Sequence, residues 1–411
     1  MQFERTIEPI AEEIARTFRA MVVCGPRQVG KTWLLKKLSA KLGGYHFVSL
    51  DDAALCEQAK NDPKLFLQLH PAPLFIDEVQ RAPELFPEMK MILDGSTARG
   101  QYLMTGSQQF KVMKGAKESL AGRIGILRLQ GLSKAEIEGR AGARPFVPSL
   151  EVKDFGVGGG EEGAWDVRRV YELIVKGGYP ECWSTPRMNV GHYFASYIET
   201  YIERDIREMV DVTNIGKFRT FMRVCAARTG QLLNYADLAR DAGISTPTAR
   251  TWLSMLEASG LVYILYPYYN NLIKRAVKTP KLYFTDAGLC AHLLGITSAE
   301  AAIDSPLSGA LLETYVVMEI CKSHWYAGTN AAFWFYRDAN QHEVDLILDY
   351  EGQLYPIEIK RAAAVKGREI LPNMNAFRET TKSAAVGAVV LLSPQFGAID
   401  SQTALIPIDL L

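Results

Sequence analysis

An apolar run, Met21-Val22-Val23-Cys24, leads straight into Gly25-Pro26-Arg27-Gln28-Val29-Gly30-Lys31-Thr32, and a helical segment follows. This stretch constrains the fold more than anything else in the chain. The apolar run predicts a buried strand, and glycines at both ends of the loop let the backbone turn so that its N–H groups converge on one point. The helix N-terminus that follows adds a partial positive charge, which makes the loop a phosphate site. Lys31 would reach the β- and γ-phosphates of a nucleoside triphosphate, and the Thr32 hydroxyl would hold Mg²⁺.

Further short apolar runs alternate with helical stretches up to about residue 130: Tyr45 to Leu50, Leu74 to Asp77 and Tyr102 to Thr105. Strands alternating with helices predict a parallel sheet with buried strands. The run Leu74-Phe75-Ile76-Asp77-Glu78 delivers two carboxylates to a strand's C-terminal end, where parallel sheets place their ligands. Asp77 is expected to hold Mg²⁺ through water and Glu78 to polarise the attacking water as general base. The strand ending in Thr105-Gly106-Ser107-Gln108 offers a polar side chain, Thr105 or Ser107, that could sense the γ-phosphate.

Phosphate loop, acidic strand and polar strand end, in that order, resemble the AAA-type ATPases over roughly the first third of the chain. The resemblance implies ATP as cofactor with Mg²⁺, a homo-oligomer, and an arginine acting on a neighbouring subunit's nucleotide. Arg123, in Ser119-Leu120-Ala121-Gly122-Arg123, follows the polar strand and is the candidate; an intramolecular ion pair or a solvated surface position would equally explain it.

At 411 residues the chain is long for one core, and two or three domains are expected. Its 46 basic and 46 acidic side chains cancel, so any site for a polyanion must be a local patch. Six cysteines, Cys24, Cys56, Cys182, Cys225, Cys290 and Cys321, are scattered without a close pair, which argues against zinc ligation and a disulfide framework. The start of the sequence carries no secretory pattern, and no stretch reaches the roughly 18 apolar residues that would span a bilayer. A cytoplasmic protein without membrane contact is therefore expected.

Residues 232 to 261 read as helix, turn, helix, with Gly243-Ile244-Ser245 as the turn and Leu238, Ile244, Leu253 and Leu256 as the shared core. The apolar run Leu261 to Leu265 suits the first strand of a wing. As a winged helix, this unit would set Thr246, Thr248, Arg250 and Thr251 in a DNA groove while Lys274, Arg275, Lys278 and Lys281 contact phosphates. The competing reading, a protein-binding module, fits a second helix with one basic residue.

Towards the C-terminus come a helix carrying Glu313, then the strands Phe333 to Arg337, Glu343 to Leu348 and Leu354 to Lys360. Alternation puts Glu358 and Lys360 on one face, and Asp345 on the neighbouring strand can share it. Carboxylates to hold Mg²⁺ with a lysine beside them suit phosphodiester cleavage; a salt-bridged sheet face is the plainer alternative. The spacing resembles the restriction-endonuclease-like PD-(D/E)XK fold, with Asp345, Glu358 and Lys360 matching its core, Glu313 its helical acid, and Val344 in place of the motif's proline. The whole order, including Gly177-Gly178-Tyr179-Pro180-Glu181, resembles predicted prokaryotic AAA-type ATPases whose C-terminal half is a domain of unknown function.

The expected α/β architecture is thus an AAA-type phosphate-loop domain (1–138), a Gly/Pro-rich linker (139–166), a helical and winged-helix domain (167–300) and a nuclease-like α/β domain (301–411). Its expected work is Mg-dependent ATP hydrolysis acting on DNA as an oligomer. An ATP-dependent nuclease and a nucleotide-controlled switch that binds proteins are the alternatives.

Overall fold

A computed structural model describes residues 3–107, 119–155, 166–202, 215–268, 279–381 and 384–411. The chain packs into two compact units. The first runs to Leu132 and also takes in Tyr179–Ser184 and Ala258–Leu261.

At its centre is a five-stranded parallel sheet of β1 (Ala20–Cys24), β2 (His46–Ser49), β3 (Leu74–Asp77), β4 (Tyr102–Gly106) and β5 (Ile124–Arg128), in the spatial order β2-β3-β4-β1-β5. Every residue of β1, β3 and β4 is buried, which is why these strands read as continuous apolar runs rather than as alternating ones. Helix α1 (Glu8–Thr17) packs on β1 and β5, and α2 (Lys31–Leu42) on β3 and β4, burying Leu34, Leu35 and Leu38. Each such side chain contributes about 1.5–3 kcal/mol. A Cβ at Gly125 of β5 would lie 2.3 Å from Ile14 of α1, so the close approach of helix and strand requires glycine there.

The second unit comprises Ser133–Gly178, Thr185–Glu257 and Val262–Leu411. Three helices, Ile215–Ala227, Tyr235–Ala242 and Thr246–Ala258, share a core in which Trp252 stacks edge-on against Phe218 and Phe221. With them goes a three-stranded antiparallel sheet, β6 (Gln231–Leu232), β8 (Lys281–Phe284) and β7 (Val262–Leu265), in that order. Ser245 caps the third helix through Thr248 N–H at 3.2 Å, and Leu238, Leu253 and Leu256 are buried as expected, while Ile244 is only half-buried.

A six-stranded mixed sheet follows: β9 (Ala332–Arg337), β10 (Glu343–Tyr350), β11 (Gln353–Lys360), β12 (Gly387–Leu391), β13 (Gly397–Asp400) and β14 (Thr403–Pro407), ordered β13-β14-β12-β11-β10-β9. β9, β10 and β11 form an antiparallel meander, and β12 returns parallel to β11 by way of the helix Gly367–Thr381. That helix covers Val344, Ile347 and Val389 with Ile370, Met374 and Phe377. The helix Ser308–Tyr326 packs on β11 and is buried on nearly every side.

Within this unit, most of residues 167 to 300 pack against residues 301 to 411. Backbone hydrogen bonds from Tyr268 N to Phe335 O (2.7 Å) and from Phe335 N to Tyr266 O (3.1 Å) tie the two sheets together. Part of the expected linker is also built in. Phe146 is buried, donating its N–H to Ser323 and accepting from His324 Nε2 through its carbonyl. Phe146, with the Phe155 ring 5.8 Å away, has enough apolar area to dock a segment whose composition reads as loop. Gly158-Gly159-Gly160 lie outside the described residues.

The motif Gly177-Gly178 closes a buried turn. Gly177, left-handed at φ 69°, ends the helix Val167–Lys176, and Gly178 N donates to Asp286 Oδ2 at 2.7 Å. Asp286 also caps the helix Ala287–Leu293 through Leu289 N, and burial pushes its carboxyl up. A Cβ on Gly288 would stand 2.7–2.9 Å from backbone atoms of Gly177 and Val175. Overpacking against backbone costs about 1–3 kcal/mol, so Gly288→Ala should lower the thermal unfolding midpoint and weaken amide-exchange protection around Gly178 and Leu289. Unchanged protection there would mean that the turn relaxes freely.

Candidate active site

Three strand ends meet at the C-terminal edge of the parallel sheet. β4 lies between β1 and β3, so its polar end sits between the phosphate loop and the acidic pair. The loop is backbone-built: Gly25 has φ 150° and Gly30 φ 96°, and Gln28 is also left-handed at 61°. A Cβ on Gly25 would fall 1.9 Å from Leu129 O, so only glycine lets the loop leave β1 beside the chain that exits β5. Pro26 and Val29 are buried, while Arg27 is half-buried and Gln28 exposed.

Lys31 is buried and folds back on its own loop, donating to Gly25 O at 3.0 Å and Pro26 O at 2.6 Å. Burial pushes its pKa down, opposed by the nearby Glu78. Those loop carbonyls hold the ammonium where a phosphate could exchange for them.

Asp77 Oδ1 accepts two hydroxyl protons, from Thr32 at 2.8 Å and from Thr105 at 2.6 Å. Burial raises its pKa, and these two hydrogen bonds oppose the rise. Thr105 Oγ1 in turn accepts from Glu78 N at 2.9 Å. Glu78 stands in the left-handed region, φ 56°, which turns its side chain away from Asp77's partners. Its carboxylate accepts from Ser107 Oγ at 2.8 Å and from Gln80 Nε2. Burial pushes Glu78 up, but Lys31, Arg27 and these two donors outweigh it, so its pKa lies below the ordinary glutamate value. It is therefore ionised at neutral pH.

The sequence left Thr105 and Ser107 as alternatives. Both are engaged: Thr105, in β4, serves Asp77, and Ser107, one residue beyond the strand, serves Glu78. Gln80, bonded to Ser107 at 3.0 Å, escaped the sequence reading. So did Arg5, although it is 4 % exposed and reaches across to Val29 O (2.9 Å) and Gln130 O (2.9 Å), with Gly131 O at 3.5 Å. Its signal in the sequence is a single arginine before the first helix, indistinguishable from a surface residue.

The oxygen pair of Thr32 and Asp77 suits Mg²⁺, which takes one or two protein oxygens and completes its shell with water and phosphate. Among the described residues, no cluster of three histidine, cysteine or carboxylate side chains could hold a metal by itself.

Residues 17–138 match the AAA domain family, and the loop, the acidic strand and the polar strand end all lie inside that match. The chain carries an AAA-type ATPase domain. Residues 167–300 match a domain of unknown function, DUF8612, and residues 308–411 another, DUF4143. Uncharacterised proteins of Mycobacterium bovis and Mycobacterium tuberculosis are each 29 % identical over 345 residues, 84 % of this chain and 70 % of theirs. Among solved structures, a Walker-type ATPase of Pyrococcus abyssi aligns with 71 % of this chain and 96 % of its own, at 12 % identity and a TM-score of 0.43. The RuvB Holliday junction branch migration motor of Thermotoga maritima aligns with 64 % of this chain and 89 % of its own, at 14 % identity and 0.31. At such scores these likenesses add nothing to what the AAA match carries.

Arg123 ends the stretch before β5 and so lies at the sheet edge opposite its own domain's phosphate loop. There it pairs with Asp94 (Nε to Oδ1, 2.5 Å) and donates to Ala121 O.

On the helix Thr246–Ala258, Arg250 is exposed and lies 4.1 Å over the Tyr235 ring, and Thr248 bonds the Ser245 hydroxyl; Thr246 is half-buried. Lys274, Arg275 and Lys278 lie outside the described residues. Lys281 departs from the expectation: expected to contact phosphates, it is 3 % exposed and paired with Glu343 at 2.7 Å, because β8 is buried along its whole length.

The C-terminal candidates do come together. Lys360 Nζ is 2.6 Å from Glu358 and 3.9 Å from Asp345, whose Oδ2 accepts from Ile359 N at 2.9 Å. Glu313 accepts from Tyr283 OH at 2.6 Å. Burial and the charge of Asp345 push Glu313 up to about 7 and Glu358 up to about 8. Burial disfavours the Lys360 charge, yet Asp345 and Glu358 outweigh it and raise its pKa. Lys281, Lys360, Asn373, Tyr283 and the Ile359 N–H already contact these carboxylates, so the residues do not fit a divalent cation as they stand.

Arg5 is the sharpest test of how the loop is held. Hydrogen bonds from a charged donor are each worth about 1.5–3 kcal/mol, so Arg5→Met should weaken ATP binding by at least about tenfold in a calorimetric titration. An unchanged affinity would show the loop to be self-supporting.

Proposed function

We propose that this chain is a Mg²⁺-dependent ATP hydrolase that works on DNA as a homo-oligomer. The observation that carries the hydrolase part is the division of labour at the sheet edge. One buried carboxylate, Asp77, is bound to the phosphate-loop hydroxyl, and the other, Glu78, is ionised and held apart by Ser107 and Gln80.

The backbone N–H groups from Gly25 to Thr32 would cradle the phosphates, with Lys31 leaving its loop carbonyls for the β- and γ-oxygens. Thr32 and Asp77 would hold Mg²⁺, which when bound neutralises charge on the β- and γ-phosphates. Glu78 would take a proton from the attacking water, and Ser107 with Gln80 would keep its carboxylate aimed. Thr105, through Asp77 and the Glu78 N–H, links the two carboxylates. Arg123, at the N-terminal end of β5 and paired with Asp94, would act on a neighbouring copy's nucleotide only by leaving that pair.

Support for DNA is architectural: helices Tyr235–Ala242 and Thr246–Ala258 with the β7–β8 pair have the element order of a winged helix, with Thr246, Thr248 and Arg250 on the second helix. Metal-assisted DNA cleavage is the competing reading; the meeting of Asp345, Glu358 and Lys360 suggests it, but the protein cations already on these carboxylates weigh against it.

Lys31→Ala should abolish ATP binding, whereas Glu78→Gln should bind ATP yet turn it over roughly 10²- to 10⁴-fold more slowly. Full turnover by Glu78→Gln would remove Glu78 as the base. Turnover measured with and without a panel of DNA structures, across a salt series, separates DNA work from a protein-binding switch, since phosphate contacts weaken steeply with salt. Mixing Arg123→Ala with Lys31→Ala subunits should restore part of the lost turnover if the arginine acts between copies, and none if it acts only within its own domain.

A further inference from the structure

The carboxylates that a metal nuclease would offer to a divalent cation face a buried lysine from another sheet. Lys281 Nζ lies 2.7 Å from Glu343, 3.3 Å from Glu313 and 3.7 Å from Asp345 Oδ1. The lysine side chain is 3 % exposed, while Glu313, Glu343 and Asp345 are 20 %, 27 % and 12 % exposed. Its ammonium is thus the innermost charge of the group. Asp345 is shared between two ammonium groups, Oδ1 towards Lys281 and Oδ2 towards Lys360.

This lysine is held by more than its charge. Lys281 pairs with Leu232 on one side and Leu265 on the other, so β8 is fixed from both flanks. Its ammonium lies 5.5 Å from the Phe335 ring centroid. Tyr283, two residues along and so on the same face, donates to the Glu313 oxygen that Lys281 also contacts. One strand face therefore delivers an ammonium and a hydroxyl to the carboxylates of the neighbouring elements. The Glu343 and Glu313 distances are those of ammonium hydrogen bonds and the Asp345 distance that of an ion pair, whereas Mg²⁺ needs oxygens at about 2.0–2.1 Å in octahedral array. A second, divalent charge in the same space would meet the full repulsion of the first.

We propose that Lys281 is the resident cation of the Glu313, Glu343 and Asp345 cluster and excludes a divalent cation from it. The role is that of a positioning residue: it sets the carboxylates where they are and fills the place an ion would take. A metal could enter only if β8 moved Lys281 out. This holds whether or not the C-terminal sheet ever cleaves DNA, and cation binding is read without a cleavage assay.

The experiment titrates nucleotide-free full-length protein with Mn²⁺, following free Mn²⁺ by electron paramagnetic resonance and the thermal unfolding midpoint in parallel. Wild type and Lys281→Arg should show no site that depends on Asp345. Lys281→Met should gain one site at least about tenfold tighter than any in wild type, lost again when Asp345→Asn is added, and its unfolding midpoint should rise with Mn²⁺. Because three carboxylates without their lysine could prevent folding, the double variant Lys281→Met/Glu343→Gln, with one negative charge fewer, repeats the comparison. An Asp345-dependent Mn²⁺ site in wild type as tight as in Lys281→Met would overturn the proposal, and so would a folded double variant that gains no site.

Discussion

Everything at the nucleotide edge turns on one oxygen, Asp77 Oδ1, which accepts from Thr32 and from Thr105 at once. The three residues come from the helix after the loop, from β3 and from β4, so a single acceptor ties together the loop, the acidic strand and the polar strand. That is possible because β4 is inserted between β1 and β3, which are therefore not neighbours. Were β3 beside β1, Asp77 could still meet Thr32, but nothing would stand between to hold Glu78. The strand order thus makes the gap that Thr105 and Ser107 fill.

The two carboxylates at this edge show how one desolvated site can give adjacent acids different character. Burial acts on both in the same direction. Asp77 is raised by burial, with the charges of Glu78 and Asp51 adding to the rise against its two hydroxyl donors, while Glu78 sees Lys31 and Arg27 and ends lowered. The difference follows from the left-handed backbone at Glu78, a strained conformation for a residue with a Cβ, which sends the two side chains to different partners.

The C-terminal cluster uses the same chemistry to a different end. Buried ion pairs seldom stabilise more than well-packed apolar groups would, but removing one partner is costly, because the other is left charged and dry. With two lysines set among four carboxylates, each member depends on the rest. Such a cluster specifies geometry, and it binds β8 to the helix Ser308–Tyr326 and to β10.

The strand, loop and helix from Met21 to Leu42 could be read from sequence because each is a local matter of apolar runs, glycine and helix entry, and the same holds for Asp77 and Glu78 at the end of an apolar strand. The spacing of Asp345, Glu358 and Lys360 was legible for the same reason, since strand alternation operates over a few residues. What could not be read were partners far apart in the chain. Arg5 contacts a carbonyl 125 residues away, and Gln80, just after β3, bonds Ser107, just after β4. Lys281 misled because it follows a basic stretch that looks solvated, whereas β8 is buried on both faces and only the carboxylates packed against it make an ammonium tolerable there. Sequence alone determined which chemical groups stand at the ends of which elements. Folding in three dimensions chose the company each of them keeps, because strand order and burial arise from long-range packing that no local pattern encodes.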